Sequence, residues 1–192
     1  MMNKTYFDRL PNAIKAQFGK PLKALYSYLP MRAEATAYQW SVRRFIWKFK
    51  DGDSTAISFA ADVVAKNLLK QYGTALSEMT FVCVPAHSAE ANATRYKEFS
   101  QKVCDLTGMQ NGYKYVKVSG EKLAIHECKK GEKSFTSTRV IEFSKKGLNG
   151  AKVLLFDDII TKGMTYAKFA ATVEEIGAAV VGAVFLARTL TC

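Results

Sequence analysis

Asp157 and Asp158 stand side by side directly after an apolar run, Val153-Leu154-Leu155-Phe156. Ile159-Ile160-Thr161-Lys162-Gly163-Met164-Thr165 follows, and then a helical pattern begins. The order reads as a buried strand, an acidic tip, a tight loop and a helix N-terminus. Carboxylates at a strand tip face hydroxyls or a metal, and loop N–H groups ahead of a helix face a phosphate. The two together suit a phosphorylated sugar.

The elements around this stretch alternate. Thr80 to Pro85 is a buried apolar strand, and Ala86 to Asn92 is polar and small. A helix runs from there to about Thr107, with Tyr96, Phe99, Val103 and Leu106 on its apolar face. Tyr113 to Val118 is predicted as a strand, Ser119 to Thr138 as a mobile, charge-rich loop, and Arg139 to Lys145 as a return toward the sheet. Lys152 to Phe156 is the central strand and Thr165 to Ile176 its helix, with Gly177 as a C-terminal cap. Ala178 to Leu186 is a last strand. The alternation implies an α/β fold with a mostly parallel central sheet flanked by helices. Ligands on such sheets bind at the carboxyl ends of the strands. Pro85 to Ser88, Ser119 onward, Asp157 to Thr165 and Arg188 all fall at that edge.

Upstream, Leu10, Ile14 and Phe18, then Leu22, Leu25, Tyr26 and Leu29, have helix-like spacing broken by Pro11, Pro21 and Pro30, and two short helices are predicted. Thr36 to Lys50 is an amphipathic helix, with Trp40, Val42, Phe45, Ile46 and Phe49 on its apolar stripe and Arg43, Arg44, Lys48 and Lys50 on other faces. Asp51-Gly52-Asp53 is its stop, and Ser54 caps a second helix to about Tyr72. The expected division is a helical N-terminal hood over 1–75 and an α/β core over 76–192, in one compact unit.

Bulk properties set the frame. The chain has 192 residues, 48% of them hydrophobic, enough to bury a core and far from a disordered composition. No secretory leader and no run of ~18–20 apolar residues is present, so a soluble cytoplasmic protein with no membrane partner is expected. Cys83, Cys104, Cys128 and Cys192 are dispersed, with no C-x-x-C, which suits a reducing compartment and excludes a zinc ribbon. A net charge of +11 suits a polyanionic partner, either nucleic acid or a substrate with several phosphates, or else a solvated basic surface.

Three other acidic or phosphate sites do not fit. A response-regulator receiver carries its acidic pair after the first strand, not the penultimate one. A haloacid-dehalogenase site needs D-x-D-x-T, and Asp157-Asp158-Ile159 departs from it. A Walker loop, G-x-x-x-x-G-K-[ST], is absent.

Asp157 to Thr165 resembles the phosphoribosyl-diphosphate (PRPP) loop of type I phosphoribosyltransferases: an apolar strand, two acids, two apolar residues, Thr, a small residue, Gly, any residue, and Thr or Ser. Lys162 departs from it where a small residue is typical. The resemblance implies that Asp157 and Asp158 bond the ribose hydroxyls, and that Ile160, Thr161, Lys162, Gly163, Met164 and Thr165 wrap the 5′-phosphate. Thr165 would also cap the helix. It implies Mg²⁺ held chiefly by substrate oxygens and water. It also implies transfer of phosphoribosyl from PRPP to a base or amine with release of diphosphate. Ala86, His87, Ser88 and Arg95 lie where the family binds diphosphate. The 119–138 segment lies where the family has its catalytic lid, with His126, Lys129 and Lys130 as candidate catalytic residues beside Lys122 and Lys133. A homodimer is a further expectation from the family. In outline the chain is similar to the ComF-type, amidophosphoribosyltransferase-like branch: a basic helix before the sheet, Val84-Pro85-Ala86-His87, and Arg95-Tyr96. It lacks the zinc-binding cysteines and the R-G-F-N-Q stretch of that branch. The alternative to catalysis is a PRPP- or nucleotide-sensing protein of the same fold, associated with nucleic acid in competence or defence.

Overall fold

The computed structural model describes residues 4–127 and 133–190. Five strands form one sheet in the order β1-β7-β6-β2-β3, every neighbouring pair parallel. In chain order they are β1 (Leu22–Tyr28), β2 (Met79–Cys83), β3 (Gln110–Asn111), β6 (Lys152–Ile160) and β7 (Ala179–Thr189). The α/β class with a parallel sheet, expected from the alternation, is what is found.

Helices cover both faces. On one side lie α3 (Ala37–Lys50), α4 (Ser54–Tyr72) and α6 (Glu98–Thr107). Ile46, Phe49, Val64, Phe81, Phe99, Leu154 and Phe156 interlock there. On the other lies α8 (Met164–Glu175), with Val153, Leu155, Tyr166, Val173 and Phe185. Alternate residues of β6 thus feed opposite cores, which is why its Val153–Phe156 stretch is apolar without a gap. Phe156 anchors the first core, with ring centroids 4.4 Å from Phe99 and 5.9 Å from Phe81.

The N-terminal region departs from the all-helical expectation. Of the two short helices expected from the spacing, the first is α2 (Asn12–Gln17), preceded by an unforeseen α1 (Lys4–Asp8), whereas Leu22–Tyr28 is a strand that pairs with β7. Its Leu22, Leu25, Tyr26 and Leu29 match helical spacing by coincidence. As an edge strand half-buried along most of its length, it shows no clean alternation. α3 follows the predicted bounds, opened by a capping box in which Thr36 accepts from the Gln39 N–H and Gln39 accepts from the Thr36 N–H. The cap of α4 is Asp53, not Ser54. Arg43, read as part of the polar face, is 1% exposed. It donates to the carbonyls of Leu29, Pro30 and Ala33, and so braces the turn from β1 into α3.

The expected loop over 119–138 is in large part an antiparallel ribbon of β4 (Val116–Glu127) and β5 (Lys133–Phe143), with a register shift between Ser119 and Glu121. Val116-Lys117-Val118 and Phe135-Thr136-Ser137-Thr138 carry strand residues, and the interspersed lysines and glutamates mask the period of two. The 139–145 segment therefore pairs within this ribbon instead of rejoining the central sheet. In chain order α5 (Ala89–Asn92) and a π-helical stretch Ala93–Lys97 come between β2 and α6, and α7 (Lys145–Leu148) follows β5. Among the described residues no helix is long and apolar enough to cross a membrane.

Candidate functional site

β6 delivers its two carboxylates to the carboxyl edge in different states. Asp158 is 7% exposed, and one of its oxygens, Oδ2, lies 3.3 Å from Arg95 Nη1 and 3.6 Å from Lys50 Nζ. Asp157 has neither cation within ion-pair reach. Its Oδ1 accepts from the Asp158 N–H at 2.9 Å and from the Tyr96 hydroxyl at 3.5 Å. Burial first, and the neighbouring Asp158 charge second, push the Asp157 carboxyl up to about 7. The Asp158 N–H, Lys50 and Tyr96 oppose that rise. Tyr96 is itself buried, and burial together with the two carboxylates pushes its phenol up.

The loop after β6 turns at Gly163, whose φ of +77° strains any side-chain-bearing residue. A Cβ there would also stand 2.9 Å from Phe18 Cε1, so α2 is packed against the loop's back. Gly163 is the N-cap of α8, and its carbonyl accepts from the Ala167 N–H. Thr165 lies in the first turn and is exposed, so the expectation that it caps the helix is corrected: the turn is tighter and the helix starts one residue earlier. No acidic residue occupies that first turn, which leaves the positive end of the helix uncompensated. Asp157, Ile160, Thr161, Lys162, Gly163, Met164 and Thr165 line one cleft of about 270 Å³. Thr161 and Thr189 hydroxyls meet at 2.8 Å on its rim, tying the loop to β7.

The residues after β2 are arranged otherwise than an open cradle. The Ala86 N–H donates to Asn92 Oδ1 at 3.1 Å. Ser88 caps α5, its Oγ accepting from the Ala91 N–H. His87 is exposed. Arg95 lies in the π-helical stretch, a distortion common at functional sites, and points to Asp158. His126 belongs to β4, whereas Lys129 and Lys130 lie outside the described residues. The ribbon's base does reach the site: Ile141 and Phe143 share a cleft of about 340 Å³ with Met164, Thr165 and Phe169.

Lys50 and Tyr96 are the site residues that sequence reading missed. Lys50 ends a basic helix and reads as a solvated cation, while Tyr96 reads as core. One local signal existed. Asp51-Gly52-Asp53 demands a sharp turn, and Gly52, at φ +79°, is pressed so closely on the π-helical stretch that a Cβ would meet Thr94 Cγ2 at 2.6 Å. That contact brings Lys50 beside Arg95, whose Nε donates to the Lys50 carbonyl at 3.4 Å.

Among the described residues no three of His, Cys, Asp or Glu converge as metal ligands. Two adjacent carboxylates, one already neutralised by cations, suit a Mg²⁺ carried by substrate oxygens better than one caged by protein.

No protein-family model and no curated protein matches the chain. Solved structures that the chain matches include two of low similarity. A hypothetical protein from Neisseria gonorrhoeae with bound ppGpp is 9% identical at a TM-score of 0.39, the match covering 90% of this chain and 74% of that one. A purine phosphoribosyltransferase from Pyrococcus horikoshii Ot3 is 15% identical at a TM-score of 0.36, covering 85% of this chain and 88% of that one. Both likenesses are remote.

Proposed function

We propose that the chain binds PRPP with Mg²⁺ and transfers its phosphoribosyl group to a base or amine, releasing diphosphate. The observation that carries this reading is the β6–α8 junction: a carboxylate pair, then a loop turning on a positive-φ glycine into an uncompensated helix N-terminus, with Asp157 and the loop lining one cleft. N–H groups of the loop hold the 5′-phosphate, and the Thr161 and Thr165 hydroxyls add donors. The carboxylates accept from the ribose diol and so fix the sugar. The C1–oxygen bond to diphosphate then breaks as a bond from the acceptor nitrogen to C1 forms. The protein's contribution is positioning and charge neutralisation, with Lys50 and Arg95 as the nearest cations. Mg²⁺, when bound, neutralises further negative charge on the leaving diphosphate.

Calorimetry of the full chain with Mg–PRPP tests the donor site. Asp157→Asn combined with Asp158→Asn is expected to abolish binding with the fold intact, and unchanged affinity rejects the assignment. Diphosphate release across a panel of bases and amines tests turnover. A second reading, donor binding without turnover, is favoured by one observation: Asp158 is already paired with two cations. Tight PRPP binding with no diphosphate released in any combination selects that reading.

A further inference from the structure

Three charged side chains from three separate elements meet at one oxygen. Lys50 comes from the end of α3, Arg95 from the π-helical stretch, and Asp158 from β6. Two cations share a single carboxylate oxygen, so the cluster carries one positive charge more than Asp158 can balance. Asp157 is in ion-pair contact with neither cation: its contacts are to an N–H and a phenol, and Lys50 acts on it only from longer range.

The contacts are also long. Charge-assisted N–H to carboxylate bonds fall at about 2.7–2.9 Å when a pair is optimised. Here the separations are 3.3 and 3.6 Å. Both cations remain within reach of water, with side chains 31% exposed for Lys50 and 18% for Arg95, while Asp158 is 9% exposed. A purely structural ion pair would bring one cation to full contact and leave no surplus. A loose, over-charged, half-wet arrangement is what a resting anion-binding site looks like when an internal carboxylate stands in for the ligand.

We infer that Lys50 and Arg95 are a diphosphate-binding pair and that Asp158 is their counter-ion in the empty site. This rests on the PRPP reading of the β6–α8 loop. When the donor enters, the diphosphate draws both cations off Asp158. The freed carboxylate then accepts from the ribose diol. One event therefore arms both ends of the site: the cations cannot settle on diphosphate without releasing Asp158, and the sugar cannot claim Asp158 without releasing the cations. A ligand carrying only one end of the donor pays the separation without its return. Ribose 5-phosphate and inorganic diphosphate should accordingly bind more weakly apart than their linkage in PRPP alone predicts. No bond is made or broken in this step. Only ion pairs exchange.

The test uses the full chain and three probes in calorimetry with Mg²⁺: PRPP, ribose 5-phosphate and inorganic diphosphate. Lys50→Met is expected to weaken diphosphate and PRPP by about tenfold or more, a change of 1.4 kcal/mol per decade. The same variant should bind ribose 5-phosphate as well as or better than the parent, and Lys50→Arg should restore diphosphate binding. Asp158→Asn gives the sign that a structural role would not: diphosphate binds more tightly because its cations are released, while ribose 5-phosphate binds more weakly. Should Lys50→Met not fold, the Asp158→Asn pair of measurements carries the test alone. Unchanged or weakened diphosphate affinity in Asp158→Asn overturns the inference. Failure of ribose 5-phosphate and PRPP to bind the parent chain overturns the donor reading itself, and is distinguishable because diphosphate can still be titrated against Lys50 and Arg95.

Discussion

The Tyr96 hydroxyl lies 3.5 Å from Asp157 Oδ1, so the buried phenol of the π-helical stretch is the donor that faces the less neutralised of the two carboxylates. Asp157 also faces Asp158, Lys50 and, across the end of β2, the buried thiol of Cys83. In this setting its proton affinity is raised.

That affinity has a direct consequence for stability. The Asp157 carboxyl is pushed up to about 7 in the folded chain, so the folded state keeps a proton that the unfolded state releases above its ordinary value of 3.8. Stability is greatest below that value, falls as pH rises toward about 7, and levels off above it. The loss amounts to at most about 4 kcal/mol. Asp157→Asn should remove the slope, leaving stability similar at pH 4 and raising it at pH 8. Urea titrations of both proteins at several pH values check this. A parallel slope in the variant would assign the effect to another group.

Gly163→Ala should damage the loop twice over. The positive φ disfavours alanine, and the added methyl meets Phe18. A stability loss of about 1–3 kcal/mol is expected, with a larger relative loss of phosphate-group binding, because the turn sets the direction of the loop N–H groups. Denaturation curves and ribose 5-phosphate calorimetry separate the two effects.

Arg43→Met keeps the length of the side chain but strips three backbone carbonyls of their donor. Leaving such buried acceptors unpaired, together with lost packing, should cost about 2–4 kcal/mol. Hydrogen exchange should show the greatest loss of protection between Leu29 and Ala33, at the turn that Arg43 braces.

Phe156→Ala should cost about 3–5 kcal/mol, since its ring contacts Phe49, Phe81, Tyr96 and Phe99 in the core beneath the site. Because Tyr96 rests on that ring, the variant should also flatten the pH dependence attributed to Asp157. Intact pH dependence would show that the carboxyl responds to burial by other neighbours.

The strongest periodic stretches were legible in the sequence: α3, α4, α6, β6 and α8 come from apolar spacing and turn residues that act locally. The β6–α8 loop was legible for the same reason, its chemistry being contiguous. β1 was not, because an edge strand half-buried on both faces carries no alternation, and its leucines fell on helical spacing. The ribbon was hidden by charges that alternate with its β-branched residues. Lys50 was illegible on principle: its partners Arg95 and Asp158 arrive from other elements, and only the turn at Gly52 hinted that α3 ended against something. The local capping at the α5 turn, where the Ala86 N–H donates to Asn92 and Ser88 Oγ accepts from the Ala91 N–H, was not legible either, because it depends on the fold of that turn.

The pairing of β1 with β7 joins segments far apart in sequence, Leu22 opposite Ala183 and Tyr28 opposite Thr189. During synthesis the first strand therefore emerges long before its partner exists. β1 must wait as an unpaired apolar segment, or be sheltered by other molecules, until β7 has left the ribosome. The β1 edge of the sheet is then added late, through contacts of high sequence separation that fold slowly. Since β7 also positions Thr189 against Thr161, the loop after β6 acquires that tie only when the pairing is complete. Any truncation that removes β7 would leave β1 stranded as well.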